Sequence, residues 1–261
     1  MPAPAPTLPR RHLLALGLGS AGGVGVAKTQ PQVQALLRFG YFDAFVPLSG
    51  PGPEGSARGL LVQLVGLVAQ TAGLQAQHHA YPWRRAQALV HQGALEGYCT
   101  VPTPQRESHV AFGRQTLYRV RYVAFHRRHD PRMAGVQRVE DLRPLRQGAF
   151  RGSGYSQSNL EPERLRFDTD IESVMRRIAL DDLDSIVAAE LPGWHAVQRL
   201  GLQGAITATP LPFLPSAPFC IGLRRSLREH PAVLDRLDRA TRELQAQGAL
   251  DALVAAYRAP A

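Results

Sequence analysis

The sequence predicts an α/β protein of two lobes, each a mainly parallel sheet with helices on both faces, joined by two extended connections. Three observations carry this. Short apolar runs alternate with helix-spaced stretches through the first third of the chain, and the same alternation restarts after a polar break at residues 127–131. A proline-rich stretch at residues 210–218 then leads back to a closing helical segment. Alternating strands and helices bury both faces of a parallel sheet, and two extended crossings between two such units make a hinge.

In chain order, residues 36–42 are apolar and aromatic, with the length of a buried strand. Residues 47–59, rich in Pro and Gly, read as a loop. Leu60, Leu61, Leu64, Leu67 and Val68 fall at helical spacing, and Gly73 stops that helix. A short strand at 74–79 precedes a second helix over 83–91, with Gly93 just past its end as a C-cap, and another strand at 95–101. Residues 117–126 read as one longer apolar strand. In the second unit, a strand at 147–150 is followed by Arg151-Gly152-Ser153-Gly154-Tyr155. Asp170 then caps a helix carrying Ile171, Val174, Met175 and Ile178. A strand at 183–187, a helix near 194–200 and a strand at 219–223 follow. Residues 227–257 read as helical, with Leu234, Leu237, Leu244, Leu250 and Tyr257 on the core face. Ligands of open α/β sheets sit at the carboxyl ends of the strands, here between the lobes.

Composition bounds the function. A chain of 261 residues, 44% hydrophobic and 20% charged, is ordinary for a globular protein with a sizeable core. The net charge of +9 rests on arginine, since Lys28 is the sole lysine. The arginines are scattered rather than gathered into a basic run with interleaved aromatics, which argues against nucleic acid as a partner. Pro9-Arg10-Arg11-His12-Leu13-Leu14, a glycine-rich apolar run and Gly25-Val26-Ala27 make a twin-arginine export signal over residues 1–27, which places the protein in the periplasm. The apolar run is too short to span a membrane. Cys99 and Cys220 are the only cysteines, and in an oxidising compartment they either pair or remain thiols. Neither has metal-type spacing, and the flanking arginines of His126-Arg127-Arg128-His129 disfavour a cation there, so no metal and no cofactor is expected.

The most informative stretch runs from Tyr81-Pro82-Trp83-Arg84-Arg85 to Thr103-Pro104-Gln105-Arg106. Thr103 and Pro104 read as a hydroxyl N-cap followed by proline at the first helical position. That puts Arg106 in a first turn, where the macrodipole disfavours a cation. The turn's amides and the guanidinium are expected to converge on a small anion or carboxylate. A surface arginine paired with Glu107 is the competing reading.

These motifs, in this order and spacing, resemble those of bacterial extracellular solute-binding proteins of the polar amino-acid type (family 3), the type 2 periplasmic-binding fold used by ABC importers. The likeness covers nearly the whole chain after the signal. It is strongest in the Pro-Trp, Gly93-Ala94-Leu95-Glu96-Gly97 and Thr103-Pro104-Gln105-Arg106 run, and in Gly248-Ala249-Leu250. It implies one lobe of residues 28–126 plus 219–261 and another of 127–218. By position, Phe45 matches the aromatic that covers the ligand, Trp83 an apolar pocket residue, and Cys99, Thr100 and Val101 the backbone and hydroxyl groups offered to it. Arg106 matches the arginine that grips the ligand's carboxylate, and Ser153, Gly154 and Tyr155 the closing loop of the second lobe. Phe45 and Trp83 could equally be core aromatics, and Ser153 a turn or cap residue. The family's ammonium-holding aspartate falls near Ala189, so either Glu190 takes that role or the ligand lacks an ammonium group.

The resemblance implies a monomeric binding protein that takes a small polar or anionic ligand to an ABC permease and meets the membrane only through that partner. A sensor without a transporter fits the same residues. An enzyme on this fold, a dehydratase of prephenate-like acids such as cyclohexadienyl dehydratase, is the alternative. It needs an acid or base in the cleft, for which His78, His79, Glu107 and Glu190 are the candidates. No catalytic constellation is recognisable among them.

Overall fold

Strand β1, Leu36–Phe42, is the seven-residue apolar run, and it buries Leu37, Phe39 and Tyr41 inside a sheet. The structure, a computed structural model, describes residues 36–258 apart from 152, 154, 155, 157 and 158; all of these fall in one compact unit. The expected signal over 1–27, and Gly154 and Tyr155, therefore lie outside the described residues.

After β1 come the two-residue strands β2 (Gly50–Pro51) and β3 (Ala57–Arg58), then helix α1 (Leu60–Thr71). α1 buries Leu60, Leu61, Leu64, Val65, Val68 and Ala69, one stripe at i, i+1, i+4, i+5, i+8, i+9. Truncating one of these leucines to alanine would cost about 2–5 kcal/mol. β4 (Gln75–Tyr81), α2 (Trp83–His91) and β5 (Gly97–Thr100) complete two βαβ crossovers, with β4 and β5 both parallel to β1. The short helix α3 (Pro104–Glu107) and strands β6 (Val110–Phe112) and β7 (Tyr118–Val120) follow. The first sheet closes with β13 (Ala217–Arg224) in the order β4-β1-β5-β13-β6; β13 runs antiparallel to β5, β6 and β7. A Cβ on Gly97 would collide with the Gly222 carbonyl oxygen, so the close approach of β5 and β13 requires glycine there.

The second sheet has the order β10-β9-β11-β8-β12, from β8 (Tyr122–Arg127), β9 (Gln147–Phe150), β10 (Arg166–Asp168), β11 (Ser185–Ala189) and β12 (Ile206–Pro210). β9, β10 and β11 are parallel, while β8 is antiparallel to β11 and β12. Helix α4 (Ile171–Ala179), capped by Asp170 Oδ1 on the Ser173 amide at 2.7 Å, packs with α5 (Glu190–Arg199) around Phe125, Val174, Met175, Ile178 and Val197. Helices α6 (His230–Ala246) and α7 (Ala249–Arg258) return to the first core through Leu234, Leu237, Leu244 and Leu250.

Two expectations are corrected. The single strand over 117–126 is two strands in two sheets: β7 pairs with β13, and β8 pairs with β11. The chain therefore crosses at Arg121, and residues 122–126 belong to the second sheet, not to a first lobe ending at 126. Alternation gives a strand's faces but not its partner, so the sequence pattern ran through the crossing. The closing helix over 227–257 is likewise two, broken at Gly248, whose φ of +68° is the left-handed C-cap conformation. Strands β6, β10 and β12 were not expected.

Candidate functional site

A cavity of about 460 Å³ lies where the two sheets face each other, its walls drawn from both. Among the described residues that line it, strand ends and the loops after them dominate: Tyr41 and Phe42 end β1, Thr100 ends β5, Phe150 ends β9 and Ala189 ends β11. Tyr122 opens β8 opposite Ala189. A cavity of this size at the carboxyl edges of parallel strands suits a small molecule.

Arg106 is the one charged residue on the described lining. Thr103 caps α3 as the sequence predicts: it is extended (φ −139°, ψ 152°), its Oγ1 accepts from the Arg106 amide at 3.4 Å, and Pro104 follows. The Arg106 and Glu107 amides both also reach the Thr103 carbonyl at 2.9 Å, and Pro104 has no N–H, so these amides serve the turn rather than a ligand. The guanidinium is held by partners of its own. Its Nη1 donates to the Val101 carbonyl at 2.8 Å and its Nε to Gln87 Oε1 at 3.3 Å. Its Cζ stands 5.4 Å from the Trp83 ring centroid. Trp83 and Gln87 share a face of α2 because they are four residues apart. Among the described residues no carboxylate pairs with Arg106, and Glu107 is exposed. Burial lowers its pKa, yet an arginine stays charged at any physiological pH.

Aromatic rings build the walls. Phe45 stacks on Phe219 (6.2 Å, 17°) and on Phe42 (6.1 Å, 26°), and Phe42 stacks on Phe150 of the second sheet (6.4 Å, 23°). Four rings thus run across the gap between the sheets. Trp83 sets its edge against Tyr98 at 5.5 Å. Phe45 is held by paired backbone hydrogen bonds with Ser49 at 3.0 and 3.1 Å.

The structure brings together Phe45, Trp83, Cys99, Thr100, Val101, Arg106 and Ser153. Ser153 is both a turn residue and a wall: its Oγ meets Ser156 Oγ at 2.7 Å and accepts from the Ser156 amide at 3.3 Å while lining the cavity. Glu190 does not join them. It opens α5, and its carboxylate is taken by the Arg121 guanidinium at 2.6 Å (Nη2) and 2.9 Å (Nε). The cation that holds it stands at the sheet crossing itself. Asp184 is likewise structural, accepting from the Arg146 amide at 2.7 Å and from Arg132 Nη2 at 2.9 Å. Sequence reasoning missed Phe42, Tyr122, Phe150 and Phe219; for Phe42, Phe150 and Phe219 a place at the end of an expected strand was the available signal, whereas Tyr122 lay inside the strand expected over 117–126.

The groups considered for acid–base chemistry lie off the described lining. His78 Nδ1 lies within hydrogen-bond distance of the Tyr41 hydroxyl at 2.9 Å, and burial pulls its pKa down to about 4, leaving it neutral. Cys99 does line the cavity, but burial pushes its thiol pKa up, first, and the nearby Cys220 adds to this, so it is protonated and a poor nucleophile. Cys99 and Cys220 are both free. In the β5–β13 ladder Cys99 opposes Ile221 and Cys220 opposes Thr100, which puts the two thiols on opposite faces of the sheet, where they cannot bridge. His126 is buried, with Nδ1 donating to the Arg127 carbonyl and Nε2 at 2.8 Å from the Thr209 hydroxyl. Among the described residues no group of three or more His, Cys, Asp or Glu is placed to hold a metal. No described helix is long and apolar enough to cross a membrane.

The family model of bacterial extracellular solute-binding proteins, family 3, matches residues 37–259. The chain belongs to that family. It is a ligand-binding protein of the solute-binding type, and its two large sheets are the two lobes of that fold. No curated protein sequence matches it. Among solved structures, it is similar to a histidine kinase sensor domain that resembles periplasmic binding proteins, with TM-score 0.72 and 18% identity over 86% of this chain and 96% of that one. An ancestral arginine-binding protein bound to arginine superposes with TM-score 0.68 and 15% identity over 85% and 97%. The amino acid ABC transporter substrate-binding protein AbpA from Streptococcus pneumoniae, bound to L-arginine, gives 0.67 and 17% over 85% and 94%. At these identities the likeness is one of fold.

Proposed function

We propose that this protein is a periplasmic receptor that closes its two lobes on a small carboxylate-bearing ligand gripped by Arg106 and hands it to an ABC permease. One observation carries the reading: a half-buried guanidinium, paired with no described carboxylate, stands on the wall of a cavity that both sheets line. A desolvated cation of this kind favours an anion that completes its hydrogen bonds. Phe42 and Phe150, one from each sheet, stack on each other at the cavity wall, so a ligand in the cavity touches both lobes and favours the closed arrangement. Phe45, Trp83, Thr100, Val101 and Ser153 complete its surroundings; Gly154 and Tyr155 belong to the same proposed closing loop.

The described lining carries no carboxylate and no imidazole, which favours binding over a dehydratase reaction. The likeness to a histidine kinase sensor domain favours a second reading, in which occupancy is reported to a sensor partner rather than a permease. Either role requires export, which we assign to Arg10 and Arg11, and we propose a monomer.

Thermal-shift titration with a panel of carboxylates and their neutral amides tests the binding reading. Carboxylates should raise the melting temperature and amides should not, with the ligand recovered unchanged; turnover would overturn the reading. Replacing Arg10-Arg11 with Lys-Lys should retain the precursor in the cytoplasm, and normal export would remove the twin-arginine assignment.

A further inference from the structure

We infer that the ligand is an aromatic monocarboxylate with no ammonium group, an inference that rests on Arg106 as the carboxylate's partner. The argument is one of charge, then of shape.

Arg106 is the sole charge on the described lining. The undescribed residues beside Ser153 are Gly152, Gly154, Tyr155, Gln157 and Ser158, none of which supplies a carboxylate. The nearby acids are committed or turned elsewhere. Glu190 pairs with Arg121, Asp184 with Arg146 and Arg132, and Asp43, next to Phe42, is absent from the lining. Ala189, one residue before Glu190, meets the cavity with a methyl group. A monoanion bound here brings the net charge of ligand plus Arg106 to zero. A zwitterionic amino acid leaves it at plus one, with an ammonium desolvated and facing no counter-charge, an arrangement that buried charge does not tolerate well.

The shape of the wall selects the rest of the ligand. Phe42, Phe45, Phe150 and Phe219 form a stack with interplanar angles of 17–26°, and Trp83 stands beside the guanidinium. Such rings reward a flat apolar body by stacking and edge contact. Neutral hydroxyls on the lining, among them Thr100 and Ser153, can orient a carboxylate but cannot neutralise a cation. A carboxylate at one end and an aromatic ring at the other match this division of the wall.

Isothermal titration of the full protein with 3-phenylpropanoate, L-phenylalanine and 3-phenylpropanamide tests this directly, with indole-3-acetate, L-tryptophan and indole-3-acetamide as a second set. In at least one set the acid should bind at least tenfold tighter than both its amino acid and its amide. Asp43→Asn and Glu190→Gln should leave that affinity within twofold. Amino acids binding as tightly as the acids, with amides silent, would overturn this inference while leaving the carboxylate reading intact. Amides matching the acids would overturn the carboxylate reading itself. Binding confined to aliphatic carboxylates, or silence from every aromatic acid, would remove the aromatic assignment.

Discussion

Arg106→Ala is the most discriminating change. The guanidinium is half-buried and on the described lining faces an anion's place with no competing acid, so its loss removes a charge-assisted, fork-shaped contact. Truncating one partner of a desolvated charge pair costs about 2–5 kcal/mol, which is roughly 30- to 4,000-fold in Kd. The structure sets the expectation toward the lower half of that span, because the guanidinium is not sealed from water and Thr100 remains as a hydroxyl donor. A loss of about 100-fold follows, or about 2.7 kcal/mol. The fold should change little. Arg106 donates to the Val101 carbonyl and to Gln87, and Val101 lines the cavity, so water can replace the donor there at a cost of about 1 kcal/mol or less. Arg106→Lys keeps the charge but not the fork, and should lose roughly tenfold. Isothermal titration with the tightest carboxylate, beside thermal melts of each variant, reads both quantities. An alanine variant that melts like the parent and binds within twofold of it would refute the reasoning.

Two further outcomes are expected. Phe150→Ala removes the second lobe's ring from the stack on Phe42; an aromatic pair is worth about 0.5–1.5 kcal/mol beyond area, so ligand release measured by stopped flow should quicken by about 2- to 13-fold, and an unchanged release rate would count against closure through this contact. Burial opposes the charge of Glu96, but hydrogen bonds from the Arg38 amide (2.9 Å) and guanidinium (2.8 and 3.0 Å) outweigh it and hold its pKa down; at Asp184 burial is likewise outweighed by Arg146 and Arg132. Both acids have lower pKa values folded than unfolded. Their stabilisation is therefore full above about pH 4.5 and drains away as pH falls below that, toward the depressed values. Urea unfolding across pH 7 to 2 should show stability declining in the acid limb, and Glu96→Gln should be less stable by about 1–3 kcal/mol at pH 7 with a shallower decline. A parallel decline in parent and variant would exclude Glu96 as a contributor.

Local chemistry was legible where it is self-contained. The cap at Thr103, the proline at the next position, the stripe of α1 and the Asp170 cap all depend on residues within a turn or two of each other, and each stands as the sequence predicts. Gly248 carried the signal that splits the closing helix, but the apolar periodicity on either side of it masked the break. Strands β6, β10 and β12, three to five residues long, offer too few positions for alternation to register.

What the sequence by itself determined is the α/β class, the alternation of strands and helices in both units, the membership of the family and the place of Arg106 in a capped first turn. Tertiary structure decided which sheet each strand joins, and so that the chain crosses at Arg121 rather than after residue 126. It also decided that Glu190 turns to Arg121 and not to the cavity, and that Cys99 and Cys220 face away from each other. Each of these depends on pairing between residues far apart in the chain, where a one-residue change of register or partner moves a side chain to the other face. The cavity is of the same kind: Phe42, Phe150 and Phe219 are distant in sequence, and only the facing of two sheets turns three strands into a single wall.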